Sequence, residues 1–145
     1  MSREEEFQLR LQIAKEVARQ GKLRLLPIKD WWEAVREEVV RPVLIDAVKA
    51  LEALGYFGQQ LSKNGTGLVL QAGPNDGTPR SNLTFTLGNQ HVEVTSSAKD
   101  LDEIWDDRGY VTEENVASKV GLFLERIAGV HPARSVYEDR GLITL

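Results

Sequence analysis

The chain lacks several residue types and segments that define common protein classes. It has no cysteine, only two histidines, and no apolar run approaching the ~20 residues that cross a membrane. The absence of cysteine excludes disulfides, thiolate nucleophiles and cysteine-based metal sites. Residues 2–6 are acidic and have no signal-like apolar core behind them. We therefore expect a cytoplasmic protein that has no cofactor and no membrane anchor.

The rest of the composition is that of an ordinary globular protein. With 145 residues, 41% hydrophobic and 28% charged, the chain is long enough for one domain, residues 1–145, with its own core. The formal net charge of −4 argues against broad binding to a nucleic-acid backbone, which usually requires a basic surface. It favours a basic protein partner, attracted at long range. A nucleic-acid binder would need a local basic patch, for which the candidates are Arg19, Lys22, Arg24 and Lys29.

A sheet is predicted between residues 67 and 95, where three short runs alternate between apolar and polar residues. In the second run Leu83, Phe85 and Leu87 alternate with threonines, the pattern of a strand with one buried face. A tight turn at residues 88–89 leads into the third run, so the pattern predicts a three-stranded antiparallel meander. Residues 141–145 could add a fourth strand. The polar face of the meander comprises Thr84, Thr86, His91, Glu93 and Thr95.

The N-terminal segment carries the signals of a helix. Ser2 and Glu5 form the S-x-x-E pattern of a capping box, and Gly21 is a suitable C-terminal cap, so we expect a helix over residues 3–20. Residues 22–28 alternate at first but include a proline, which favours an extended connector. The apolar stripe of the helix contains Phe7, Leu11, Ala14 and Ala18.

Further helices are predicted before and after the sheet. Residues 31–54 follow a helical stripe that Pro42 interrupts, so we expect a rod that kinks or restarts there. The acidic run 99–109 contains Leu101, Ile104 and Trp105 at the spacing of a short amphipathic helical turn. The last long helix is predicted to begin after a cap at Thr112 and to end at Gly129. The expected fold is α+β: a three- or four-stranded antiparallel sheet with the N-terminal helices and a long C-terminal helix packed on one face.

Candidate binding residues come from three places in the chain. The first is the polar face of the sheet, where His91 and Glu93 lie two residues apart and should project together. The second is the long loop 73–82, rich in glycine and proline, with Asn75, Asp76 and Arg80. The third is Trp31, next to Trp32, because tryptophan is enriched at binding hot spots.

These features favour a non-enzymatic protein-binding module, an adaptor, inhibitor, immunity-type or chaperone-like protein. Its partner would be another protein, and a homodimer could form through the Trp31–Trp32 region or the C-terminal strand. One alternative is a small-molecule-binding protein or hydrolase in which Glu93 orients His91 as a general base. The other is the nucleic-acid binder described above.

Overall fold

The described part of the chain consists of one antiparallel sheet and four helices. The computed structural model describes residues 2–76, 80–97 and 100–130. The helices are α1 (Arg3–Arg24), α2 (Ile28–Val35), α3 (Arg41–Ala53) and α4 (Glu113–Val130), with a π-helical turn at Arg36–Val40 and a 3₁₀ turn at Arg108–Tyr110. The strands are β1 (Phe57–Lys63), β2 (Gly67–Gly73), β3 (Ser81–Leu87), β4 (Val92–Ser96) and β5 (Glu103–Trp105).

The strands form a meander in the order β1-β2-β3-β4-β5, and each neighbouring pair is antiparallel. The predicted α+β class and antiparallel sheet are therefore confirmed. The predicted strand number is wrong, because the sheet has five strands rather than three or four. The prediction of a strand at residues 141–145 lies outside the described residues.

The two additional strands have weak sequence signals for different reasons. β1 is a mostly exposed edge strand whose sequence has no apolar alternation, and it pairs with β2 over its whole length. β5 replaces the helical turn that was expected around Leu101 and Trp105. Both of these side chains are buried, but Trp105 reaches the core from a strand that pairs with β4. Leu101 and Trp105 are four positions apart and both are buried, so they have the spacing of a helical stripe although Trp105 lies in a strand.

The core lies on one face of the sheet, beneath α2, α3 and α4. Alternate residues of the strands enter it, including Leu70, Phe85 and Val94, none of which is exposed. α3 lies against β1 and β2, and α4 packs beside α3 and contacts β3. Gly58 allows α3 to approach β1 closely, because a Cβ there would lie 2.9 Å from Leu51 Cδ1.

The helical rod before the sheet changes its hydrogen-bond pattern where a break was predicted. The Arg41 amide donates to the Arg36 carbonyl, the five-residue spacing of a π-helical turn. Pro42 follows at the start of α3, where its missing N–H is tolerated. The predicted interruption near Pro42 is therefore confirmed, and it takes the form of a widened turn.

Helix α1 differs from its prediction in both its length and its surroundings. The capping box is present, with the Glu5 amide 3.1 Å from Ser2 Oγ and the Ser2 amide 2.9 Å from Glu5 Oε1. The helix continues through Gly21, so the expected cap and extended connector are wrong. Residues 3–18 are all exposed, so α1 does not cover the sheet as expected. It meets the body of the domain near its C-terminal end, where Leu23 packs against the core and Arg19 pairs with Glu38.

None of the helices in the described ranges is long and apolar enough to cross a membrane.

Two neighbouring residues of α3 provide a test of the one-sided core. Leu44 is fully buried, whereas Ile45 is 39% exposed. Leu44→Ala should lower the free energy of unfolding by about 2–5 kcal/mol, because it leaves a cavity between α3 and the sheet. Ile45→Ala should cost about 1 kcal/mol or less. Urea denaturation of both variants measures the difference, and equal losses would contradict this placement of α3.

Candidate functional site

The strand register brings four of the predicted polar residues together on the sheet face opposite the core. Thr84 pairs with Thr95, and Thr86 pairs with Glu93, across neighbouring strands β3 and β4. We call this surface the open face. Its members alternate with the core residues of the same strands, so they project away from α2, α3 and α4.

The open face is less polar than the sequence indicated. Leu61 pairs with Val69, and Val69 pairs with Thr84, so one row across the sheet runs from apolar to polar side chains. Ile104 on β5 lies opposite Glu93 and is 58% exposed. Leu61 and Ile104 were missed because β1 and β5 were not predicted as strands. Thr84 in the middle of the face is only 6% exposed, so its neighbours already cover it.

His91 and Glu93 form a contact pair at the end of the open face. His91 Nε2 lies 2.9 Å from Glu93 Oε2. Gly88 makes room for both, because a Cβ there would lie 2.6 Å from each of these two atoms. The hydrogen bond that the protonated His91 ring donates to the Glu93 carboxylate raises the pKa of His91 above its ordinary value. A raised pKa keeps the imidazole protonated to higher pH, which favours an ion pair with Glu93.

A shallow groove of about 560 Å³ lies between β4 and β5. All three carboxylates that line it already have contacts within the domain, and the first, Glu93, is paired with His91. Asp102 accepts a hydrogen bond from the Ser96 amide at 2.7 Å, and Glu103 pairs with Lys119 of α4 at 2.7 Å. The pKa of Glu103 is lowered, chiefly by its bond with Lys119. The groove is lined by Glu93, Val94, Thr95, Asp102, Glu103 and Ile104.

The loop residues predicted with this site lie at the opposite end of β3. Arg80 precedes the strand and stacks on Phe57, its guanidinium carbon 3.4 Å from the ring centre. Asn75 donates to the Gly55 carbonyl at 2.8 Å, and Asp76 is exposed nearby in the chain. The seven residues of β3 span roughly 23 Å, so these residues do not form one site with His91.

Trp31 is part of the core rather than of the surface. It is 3% exposed and Trp32 is 2% exposed, and the two ring centres are 6.2 Å apart. The Arg108 guanidinium lies 5.5 Å from the centre of the Trp31 ring. Trp31 therefore offers almost no surface to a partner in this conformation.

The candidate basic patch is partly neutralised by neighbouring acids. Arg19 pairs with Glu16 at 2.8 Å and also with Glu38 of the π-helical turn. Lys22 and Lys29 are exposed. Close to them lies a groove of about 360 Å³ that is lined mainly by carboxylates, from Asp30, Glu33, Glu37 and Glu38 together with Ala34. This mixture of charges is unlike the continuous basic surface that binds nucleic acid.

Among the described residues, large apolar side chains that are exposed are most numerous on α1. Five large apolar side chains of this helix are between 45% and 70% exposed. The sequence indicated an apolar stripe here but not that it would be uncovered. One feature of the sequence could have indicated this exposure. Apolar residues occupy more than one face of the helix, whereas a helix that packs on one sheet has a single apolar stripe. These residues, the α1 apolar surface, are Phe7, Leu9, Leu11, Ile13 and Val17.

Across the described ranges, no group of three or more histidine and carboxylate side chains is arranged to hold a metal ion.

Removal of the Glu93 charge tests the His91 contact. Glu93→Gln should lower the pKa of His91 toward its ordinary value of 6.5, measured by NMR titration of the imidazole. In the parent protein the contact contributes stability fully below the ordinary pKa, and this contribution is lost as pH rises through the raised pKa. Glu114→Gln, which removes the same charge from the start of α4, is the control. An unchanged His91 pKa in Glu93→Gln would contradict the contact.

Comparison with known proteins does not add a family to these observations. No family model, no curated protein and no solved structure matches this chain. The candidate surfaces are therefore interpreted from their residues alone: an apolar helix, an open sheet face with a His–Glu pair, and two shallow acidic grooves.

Proposed function

We propose that this chain is a non-enzymatic protein-binding module that acts through protein–protein contact, as an adaptor, inhibitor, immunity-type or chaperone-like protein. The observation that carries the proposal is the α1 apolar surface. Monomeric proteins rarely leave a contiguous patch of large apolar side chains in water, and such patches usually mark interaction sites. Here the patch lies on a helix that extends from the domain and is held mainly near its C-terminal end.

The size of this surface is sufficient to drive association. Full burial of a large apolar side chain is worth about 1.5–3 kcal/mol, and these five side chains are roughly half exposed. Covering them would therefore contribute about 4–8 kcal/mol before the costs of binding are subtracted. Those costs are of similar size, so α1 alone supports a moderate affinity and a partner must add further contacts.

The acidic surface next to α1 gives the partner a charge preference. The groove that includes Glu33 and Glu38 begins where α1 meets the body of the domain. A basic partner docking on α1 would be attracted by these carboxylates and by the net charge of −4. The open face of the sheet supplies a second surface, of mixed polarity, for a partner that also reaches β4 and β5.

The groove between β4 and β5 supports a small-molecule-binding protein as the second candidate. Its volume of about 560 Å³ is in the range of ligand pockets. Its position on an open sheet edge, however, leaves a ligand largely exposed to water. For the hydrolase version, the contact with Glu93 would orient the His91 imidazole as a general base.

A photo-reactive residue placed on α1 tests the proposed function. Replacement of Leu9 by benzoylphenylalanine, followed by irradiation in the native host, should give covalent adducts with protein. Leu9 is 45% exposed within the apolar surface, so a bound partner would cover it. Gln8, which lies on the polar side about 100° around the helix from Leu9, receives the same substitution as a control and should give fewer adducts. The proposal fails if Leu9 gives only lipid adducts or none.

A further inference from the structure

The apolar residues of α1 form two stripes with different geometry. The first stripe contains Phe7, Leu11, Ala14 and Ala18, spaced by four, three and four residues, which is the heptad spacing of a helix that packs along another helix. The second stripe contains Leu9, Ile13 and Val17. At 100° per residue the first stripe is centred about 130° from Arg19 and Leu23, the side on which α1 contacts the body of the domain, and the second stripe lies between them. Residues 3–18 are all exposed, so the body of the domain covers neither stripe.

The first stripe is complementary to itself when a second helix runs in the opposite direction. Its two large residues come first and its two small residues come last. In an antiparallel pair centred between residues 12 and 13, Phe7 faces Ala18 of the other copy and Leu11 faces Ala14. Each large side chain then fills the space above a small one, as close packing requires. In a parallel pair the alanines would face alanines and leave a gap.

The charges along α1 favour the same direction. The first half of α1, residues 3–13, carries three acidic and two basic side chains, whereas the second half, residues 14–24, carries one acidic and four basic side chains. Glu4 and Lys22 are separated by five full turns, so they lie on the same flank of the first stripe. In the antiparallel pair Glu4 of one copy lies opposite residue 21 of the other copy, and it is therefore next to Lys22. In a parallel pair Glu4 of one copy and Lys22 of the other would instead lie about 27 Å apart along the helices, too far to attract each other.

From this complementarity of shape and charge we propose that the occupant of the first stripe is a second copy of this chain, with the two α1 helices packed antiparallel. The proposal rests on the proposed function, because it names one partner for the same helix. It replaces the two surfaces from which a homodimer was expected: Trp31 and Trp32 are buried, and the C-terminal strand lies outside the described residues. The second stripe stays outside this pairing and remains accessible to a different protein.

Sedimentation equilibrium of the full chain tests the association. The mass should correspond to an even number of chains, and Leu11→Glu should at least halve it or weaken association by about 100-fold or more, because every pair loses two Leu11 contacts. Gln12→Glu adds the same charge on the polar side of the helix and should leave the mass unchanged. Since residues 3–18 are exposed in the single chain, neither variant should unfold the domain. A monomer throughout, including one that binds anionic lipid vesicles, overturns the proposal.

Cross-linking tests the direction, and the cysteine-free chain makes it simple to interpret. Glu4→Cys and Lys22→Cys variants, mixed and treated with a bismaleimide shorter than two helical turns (about 11 Å), should join to each other. Neither variant should join to itself, because identical residues lie about 25 Å apart along the antiparallel pair. Self-joined products of either variant, or no mixed product, overturn the antiparallel arrangement.

These outcomes separate this inference from the proposed function. If the purified chain is monomeric but benzoylphenylalanine at position 9 captures another protein, the self-association is wrong and the protein-binding function is retained. If neither is observed, both fail.

Discussion

Burial of one face of the meander against α2, α3 and α4 is the constraint on which the rest of the structure depends. The residues entering this interface are almost fully buried, and each is worth about 1.5–3 kcal/mol in removed apolar surface. Because three helices suffice to cover one face, the opposite face of the sheet must be tolerated by water or covered by a partner. The alternation of Thr84 and Thr86 with Leu83 and Phe85 meets that requirement in the centre of the sheet.

The covering of one sheet face by α2, α3 and α4 also explains why α1 is available for contacts. The core is complete with the later helices, and α1 contributes to it through Leu23 near its end. Most helix stability in proteins comes from packing of an apolar face, and the capping box and the Glu16–Arg19 pair stabilise α1 only modestly. Contact with another helix would therefore do two things at once: it would cover apolar side chains and it would stabilise the helix that carries them.

Some residues of the candidate surfaces could be predicted from the sequence, and others could not. Thr84, Thr86, Glu93 and Thr95 could be assigned to one face from the period of two along β3 and β4. Leu61 and Ile104, which share that face, could not, because β1 and β5 are edge strands that take their conformation from pairing with β2 and β4. For α1 the periodicity correctly grouped Phe7 with Leu11, but the same kind of stripe in Val116 and Val120 is buried. A stripe identifies which side chains share a face and says nothing about what covers it.

The sequence alone therefore determined the features that depend on neighbours in the chain: the capping box of α1, the alternation of β2 to β4, and the interruption of the helical rod near Pro42. These follow from local sterics and hydrogen bonding, which act over a few residues. Only the tertiary structure decided the pairing of β1 and β5, the burial of Trp31, the close contact of His91 and Glu93 over Gly88, and the exposure of α1. Those depend on which surfaces distant segments bury together, and the free energy of that burial is not encoded in the spacing of any one segment.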